Sequence, residues 1–235
     1  MVESERPWLI VHEAGRSRRR LAAAMQSRAD YIEIDVRGDG ARLESRHDPL
    51  FHPKLPFLTS WYGLPRLHLR SIALEEIRAP GRLFLDFKDG DPAVVERTVA
   101  LLRANGGLEG AVASGRDWAL VDRLGEAAPE VGRYYSVTRR FVSRRSWWRA
   151  YERVWRAYEG RMAAGRGGDG VSIHARLATA ARLRTVREAG LRALCYKVND
   201  YETGLRLLGD GAGGLISDRI DLIARWRDQL DQRQA

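Results

Sequence analysis

The chain has 235 residues, 44 % of them apolar, which suits one substantial core and excludes a disordered chain. No apolar run approaches the roughly 20 residues that span a bilayer, and the mixed-charge start, Met1 to Pro7, lacks the apolar stretch of a secretory signal, so the cytoplasm is expected. The net charge of +9 raises the question of nucleic acid, but lysine occurs only at Lys54, Lys88 and Lys197, and an arginine bias of this kind can also come from genome composition.

Short apolar, β-branched runs alternate with longer helical patterns, as in a parallel sheet built from βα units. The first strand is expected at Trp8–His12, with a helix over Arg18–Arg28. A second strand, Tyr31–Val36, runs through a turn at Gly38-Asp39-Gly40 and a short run, Ala41–Ser45, to His47. The stretch from Pro49 to Pro80 carries Pro49, Pro53, Pro56, Pro65 and Pro80 among many aromatics. It reads as an irregular excursion between strands two and three, with His52 and His68 on its surface.

Strand Arg82–Phe87 then precedes helix Asp91–Asn105, Gly110–Ser114 precedes Asp117–Ala128, and Gly132–Val137 precedes Arg144–Ala164. Gly170–Ile173 precedes Thr179–Ala189, Arg192–Val198 precedes Tyr201–Leu208, and Gly214–Ser217 precedes a last helix from Arg219 to about Gln232. Asp91-Pro92, Thr179 and Asp200 are suitable helix starts; Asn105-Gly106-Gly107, Ala189-Gly190 and Gly209-Asp210-Gly211 are suitable ends. Eight strands without a dividing linker predict a single TIM (β/α)₈ barrel over residues 1–235.

The densest basic stretch, Arg139 to Arg156, interleaves arginines with Trp147, Trp148, Tyr151 and Trp155. It reads as an amphipathic helix with its aromatic side on the barrel and its arginines in water. Contact with an anionic membrane surface is the alternative, and no nucleic-acid partner is expected. Cys195 is the only cysteine, so no intrachain disulfide forms; it reads as buried and inert, in keeping with a reducing compartment.

Residues two apart on a strand share a face, so Glu33 and Asp35 project together near the C-terminal end of the second strand, where TIM barrels assemble their active sites. Asp86 and Lys88 repeat the spacing at the end of the third strand, and His12 ends the first. A hairpin after Asp35 can bring His47 back over the barrel mouth. Three clustered carboxylates repel unless a cation neutralises them, and an all-oxygen set suits one hard divalent ion, Mg²⁺ or Ca²⁺. Two histidines beside it offer a proton acceptor and a donor for displacement at phosphorus. Lys88 would pair with a phosphate oxygen or hold a carboxylate in place. His174, ending the sixth strand, is a candidate substrate contact with an equally plain structural reading; Ser114 and Asn199 are similar cases.

The string Ala29-Asp30-Tyr31-Ile32-Glu33-Ile34-Asp35-Val36, with Asp39-Gly40 and His47-Asp48, resembles the signature of the glycerophosphodiester phosphodiesterases. Leu85-Asp86-Phe87-Lys88 is similar to that family's third-strand acidic-x-Lys motif, Tyr196-Lys197-Val198-Asn199 to its W-T-V-N segment, and Gly214-Leu215-Ile216-Ser217-Asp218-Arg219 to its closing G-I-I-T-D-R/K-P. The matches fall in order from residue 8 to 222. The resemblance implies that Glu33, Asp35 and Asp86 bind the metal and that His12 and His47 are the general acid and base. It also implies a small-molecule phosphodiester substrate, with Tyr196, in the place of a tryptophan, walling its pocket.

Three departures stand out. The family opens with H-R-G, whereas this chain reads His12-Glu13-Ala14-Gly15 with a shortened loop, and a carboxylate cannot hold a phosphate as arginine does. Arg16, Arg18 and Arg37 are the candidates to replace it. Asp86 stands where most members have glutamate, a detail shared with the spider-venom sphingomyelinases D, whose secreted, disulfide-bonded build this chain lacks. The expected activity is hydrolysis of glycerophosphodiesters, with two alternatives: lysophospholipase D-like cleavage of a larger lipid, and an inactive barrel that binds a phosphorylated ligand or nucleic acid.

Overall fold

A computed structural model describes residues 6–39, 42–47, 72–79, 81–138 and 147–232. Eight parallel strands form the ring: β1 (Trp8–Val11), β2 (Tyr31–Asp39), β5 (Leu83–Phe87), β6 (Val112–Gly115), β7 (Gly132–Val137), β8 (Gly170–His174), β9 (Arg192–Tyr196) and β10 (Gly214–Ser217). Pairing of β1 with both β10 and β2 closes it, so the chain is a TIM barrel, as its sequence predicts. Two short strands lie outside the ring. β3 (Arg42–Ser45) pairs antiparallel with the extended end of β2, and β4 (Ile72–Ala73) pairs with β3. Most of the excursion, with His52 and His68, lies outside the described residues.

Strand periodicity divides the barrel into two cores. One parity of each strand faces the helices: Leu9 and Val11, Ile32 and Ile34, Leu83 and Leu85 belong to a large apolar layer beneath them. The other parity fills the barrel floor with Ile10, Phe84, Val112, Tyr134, Leu194 and Ile216. Space on that floor is fully used. A Cβ on Gly170 would sit 1.9 Å from the Arg192 carbonyl oxygen and 2.9 Å from the Tyr134 ring, so glycine is what lets the tyrosine cross the interior. Above this plug the same parity turns polar, and the site begins there.

The helices are α1 (Arg18–Met25), α2 (Pro92–Ala104), α3 (Trp118–Ala127), α4 (Trp147–Ala163), α5 (Ala180–Glu188), α6 (Tyr201–Gly209) and α7 (Ile220–Gln232). Asp91, Thr179 and Asp200 cap the backbone N–H groups of Ala93, Arg182 and Thr203, as their side-chain chemistry predicts. Gly106, Gly190 and Gly211 take positive φ just past the ends of α2, α5 and α6. On α4, Trp155 and Tyr158 are buried against the barrel, which agrees with the amphipathic reading of the basic stretch; residues 139–146 and the side chains of Trp147 and Trp148 lie outside the described residues. No helix among the described residues is long and apolar enough to cross a membrane.

Candidate active site

The register places the acidic residues. Asp35 on β2 lies beside Asp86 on β5, and Glu33 projects from the same face of β2 one step deeper. One carboxylate oxygen from each of Glu33, Asp35 and Asp86 lies within 4.8 Å of the other two. Glu33 and Asp35 are buried, and Asp86 is nearly so, accepting a hydrogen bond from Ser114 Oγ at 3.0 Å. Lys88, just past β5, is buried with its Nζ 2.9 Å from Asp35 Oδ1 and also in contact with Asp86. Lys88 therefore holds the carboxylates in this structure, one of the two roles expected of it.

One cation among three carboxylates leaves the cluster short of positive charge. Burial pushes Glu33 up to about 8 against the pull of His12, with Asp86 and Asp35 adding to the rise. Burial would lower Lys88, but Asp35, Asp86 and Glu33 hold it well above its ordinary value, so it stays charged. Glu33 Oε2 is buried without a hydrogen-bond partner. An all-oxygen set of three carboxylates with one oxygen unmatched fits a hard divalent cation.

His12 follows β1, and Asp218 follows β10, its neighbour in the ring. His12 Nδ1 lies 2.6 Å from Asp218 Oδ1, which directs Nε2 toward Glu33, 3.9 Å away. Asn199 Nδ2 donates to Asp218 Oδ2 at 2.6 Å, and Asn199 Oδ1 accepts from the Asp218 backbone N–H at 2.9 Å. Arg20 clamps the same corner by donating to the carbonyls of His12 and Asp218. Burial opposes charge on His12, yet Glu33, Asp218 and Glu13 outweigh it and push its pKa up to about 9. Asp218, despite partial burial, is held well below the carboxylate range by hydrogen bonds from His12 and Asn199.

The β2–β3 hairpin returns the chain to the mouth. The Arg46 N–H donates to the Asp35 carbonyl, and the buried Arg37 donates through Nε and Nη2 to the His47 carbonyl while pairing with Asp89. His47 itself is exposed, its Nε2 4.0 Å from Glu13 Oε1. Across the mouth, His174 and Tyr196 stand in register on β8 and β9 with ring centroids 5.4 Å apart. Tyr196 Oη donates to the Val137 carbonyl at 3.3 Å, and His174 Nδ1 accepts from the Arg176 N–H at 3.1 Å. Burial lowers the pKa of His174, with Arg176 and Lys197 adding to the effect, so its imidazole is neutral near pH 7.

No family model matches the chain, and no curated protein matches it significantly in sequence. Solved structures do. A candidate glycerophosphoryl diester phosphodiesterase from Agrobacterium tumefaciens superposes with TM-score 0.75 at 17 % identity, covering 97 % of this chain and 99 % of that one. A phosphodiesterase from Oleispira antarctica, in complex with the product sn-glycerol-3-phosphate, matches with TM-score 0.65 at 19 % identity over 96 % and 97 % of the two chains. A glycerophosphodiester phosphodiesterase from Thermotoga maritima matches with TM-score 0.68 at 14 % identity over 95 % and 99 %. The chain has the glycerophosphodiester phosphodiesterase fold.

On that fold, two residues at the mouth carry more than their sequence shows. Asp218 was visible only as part of the closing motif, and its pairing with His12 follows from barrel closure. Glu13 is the other: its Oε1 lies 3.8 Å from His12 Nε2 and 4.0 Å from His47 Nε2, between the two imidazoles. Of the arginines considered as replacements for the missing one, Arg18 pairs with Glu76 and Arg37 with Asp89. Arg16 lies at the mouth, its Nη1 3.8 Å from Glu13 Oε2.

Proposed function

We propose that this barrel is a metal-dependent phosphodiesterase that hydrolyses glycerophosphodiesters to glycerol phosphate and an alcohol. The observation that carries this reading is the convergence of Glu33, Asp35 and Asp86 beside an oriented histidine at the C-terminal mouth of the barrel. The bound product in the Oleispira antarctica structure, on the same fold, supports the substrate class.

Glu33, Asp35 and Asp86 would hold one Mg²⁺ or Ca²⁺, which when bound neutralises charge on the phosphoryl oxygens. The chain's own groups handle the protons. One histidine of the pair His12 and His47 takes the proton of the substrate hydroxyl next to the phosphoester as that oxygen bonds to phosphorus. The other gives a proton to the leaving oxygen as its bond to phosphorus breaks. The cyclic phosphate so formed opens when water adds to phosphorus and the ring oxygen regains a proton. Asp218 fixes the tautomer and ring orientation of His12, and Lys88 keeps Asp35 and Asp86 in place. Tyr196 and His174 line the substrate side of the mouth.

The larger-lipid alternative draws on aromatic contact with a membrane, and burial of Trp155 in the core weakens it. The inactive-barrel alternative sits poorly with a complete set of acid, base and ligand groups. A cytoplasmic setting is supported by Cys195, which is buried and unpaired, so the fold needs no oxidising compartment.

Activity on glycerophosphocholine, with Mg²⁺, with Ca²⁺ and with EDTA, tests the reading. Metal-dependent release of choline and glycerol phosphate is the expected result. Silence with both metals, on a correctly folded protein, would overturn it.

A further inference from the structure

Glu13 occupies an unusual position. It has φ 46° and ψ 44°, the only non-glycine residue with positive φ among the described residues. A left-handed glutamate is strained, and such strain persists where surrounding contacts enforce it. Arg20 supplies one contact, its Nε donating to the Glu13 carbonyl at 3.1 Å. The β3 strand supplies another: Gly15 packs so closely that a Cβ there would fall 1.8 Å from Ser45 Oγ. The hairpin that carries His47 thus closes directly onto the Glu13 turn.

The result is a carboxylate aimed between two imidazoles, 14 % exposed and accepting no hydrogen bond among the described residues. Charge counting shows what it lacks. Among the described residues, Lys88 and a divalent ion would together balance Glu33, Asp35 and Asp86, while Asp218 is matched by His12, with the half-exposed Lys197 Nζ 3.9 Å from its other oxygen. Glu13 is left over, and a phosphodiester brings one more negative charge. Arg16 approaches Glu13 but is half-exposed, so water screens it. Among the described residues, the buried cations leave the occupied mouth net negative, and the leaving alcohol is the part of the substrate that can bring a positive charge.

We propose that Glu13 is a specificity-determining residue that selects diesters whose leaving alcohol carries an ammonium group, such as choline or ethanolamine. The proposal rests on the phosphodiesterase reading above. An ammonium beside Glu13 pairs with a partly desolvated carboxylate, whereas a neutral alcohol leaves that carboxylate unmatched.

The test compares kcat/KM on glycerophosphocholine and glycerophosphoethanolamine with that on glycerophosphoglycerol, in the wild type and in Glu13→Gln. The wild type should favour the cationic substrates about tenfold, the factor that about 1.4 kcal/mol confers, and Glu13→Gln should remove most of that preference. A wild-type ratio near one overturns the proposal. So does an equal loss on all three substrates in Glu13→Gln, which would mark Glu13 as a proton relay between the histidines. If the variant fails to fold, competitive inhibition of the wild type by choline and by its neutral dimethylbutanol analogue reads the same preference, and equal inhibition overturns it. Activity on all three diesters without preference leaves the phosphodiesterase reading intact, whereas activity on none sinks that reading first.

Discussion

Replacing Asp218 with asparagine changes one charge and almost no volume, so it isolates what the carboxylate does for His12. The two side chains meet at 2.6 Å, and Asn199 holds the second carboxylate oxygen. Hydrogen bonds to charged partners contribute about 1.5–3 kcal/mol, and the lower end applies here because Asp218 is about one-third exposed. A loss of about 1.5 kcal/mol corresponds to roughly one pKa unit, so the His12 pKa should fall from about 9 toward the ordinary histidine range. The asparagine amide can also donate to Nδ1 and so favour the opposite tautomer, with the proton on Nε2. On the phosphodiesterase reading, kcat should drop by between about 10²- and 10⁴-fold, the range expected when a general acid or base loses its orientation. Histidine ring nitrogen NMR across pH 5 to 10 gives the first quantity, and turnover of glycerophosphocholine the second. An unchanged His12 titration with kcat within about twofold of wild type would refute the positioning role.

Other perturbations divide the site into its parts. His12→Ala and His47→Ala should each abolish turnover while calorimetry still detects metal binding; near-normal activity in either removes that residue from the chemistry. Asp86→Asn should weaken metal affinity by tenfold or more, and an unchanged titration would exclude Asp86 as a ligand. Lys88→Met leaves Asp35 and Asp86 buried without their cation, so in EDTA the protein should lose about 3–5 kcal/mol in urea unfolding, with partial recovery in Mg²⁺ or Ca²⁺. Without metal, His12 is raised from 6.5 to about 9 and Glu33 from 4.5 to about 8, so the folded state binds more protons than the unfolded one. That contribution to stability is fully present at low pH and is lost as pH rises through about 8 to 9. In EDTA the melting temperature should therefore be higher at pH 6 than at pH 9, and metal should restore more at pH 9, where it does not compete with protons. A flat profile without metal would refute the assignment.

The parts of this site that sequence reveals are those that strand periodicity dictates. Glu33, Asp35, Asp86 and Lys88 can be placed because residues two apart share a face, and neighbouring strands in a barrel carry their C-terminal ends to one rim. Helix starts at Asp91, Thr179 and Asp200 were legible for an equally local reason, since each cap needs only its own turn. His12 and Asp218 stand at an intermediate level. They lie 206 positions apart, and no local pattern joins them. Yet once eight strands are expected to close, the first and last become neighbours, and the residue following each must meet the other. The pairing of Val11 with Ser217 puts the next residues, His12 and Asp218, side by side. Glu13 lies beyond both kinds of inference. Its place between the imidazoles depends on a left-handed backbone that its own side chain disfavours, held by Arg20 from α1 and by the packing of Gly15 against Ser45. From the sequence, Glu13 is a residue of the wrong sign for a phosphate. In the folded chain the same charge, set between two histidines and little exposed, favours a positive group on the alcohol that leaves. The feature that least resembles the family's motif is thus the one that bears most directly on which substrate this barrel takes.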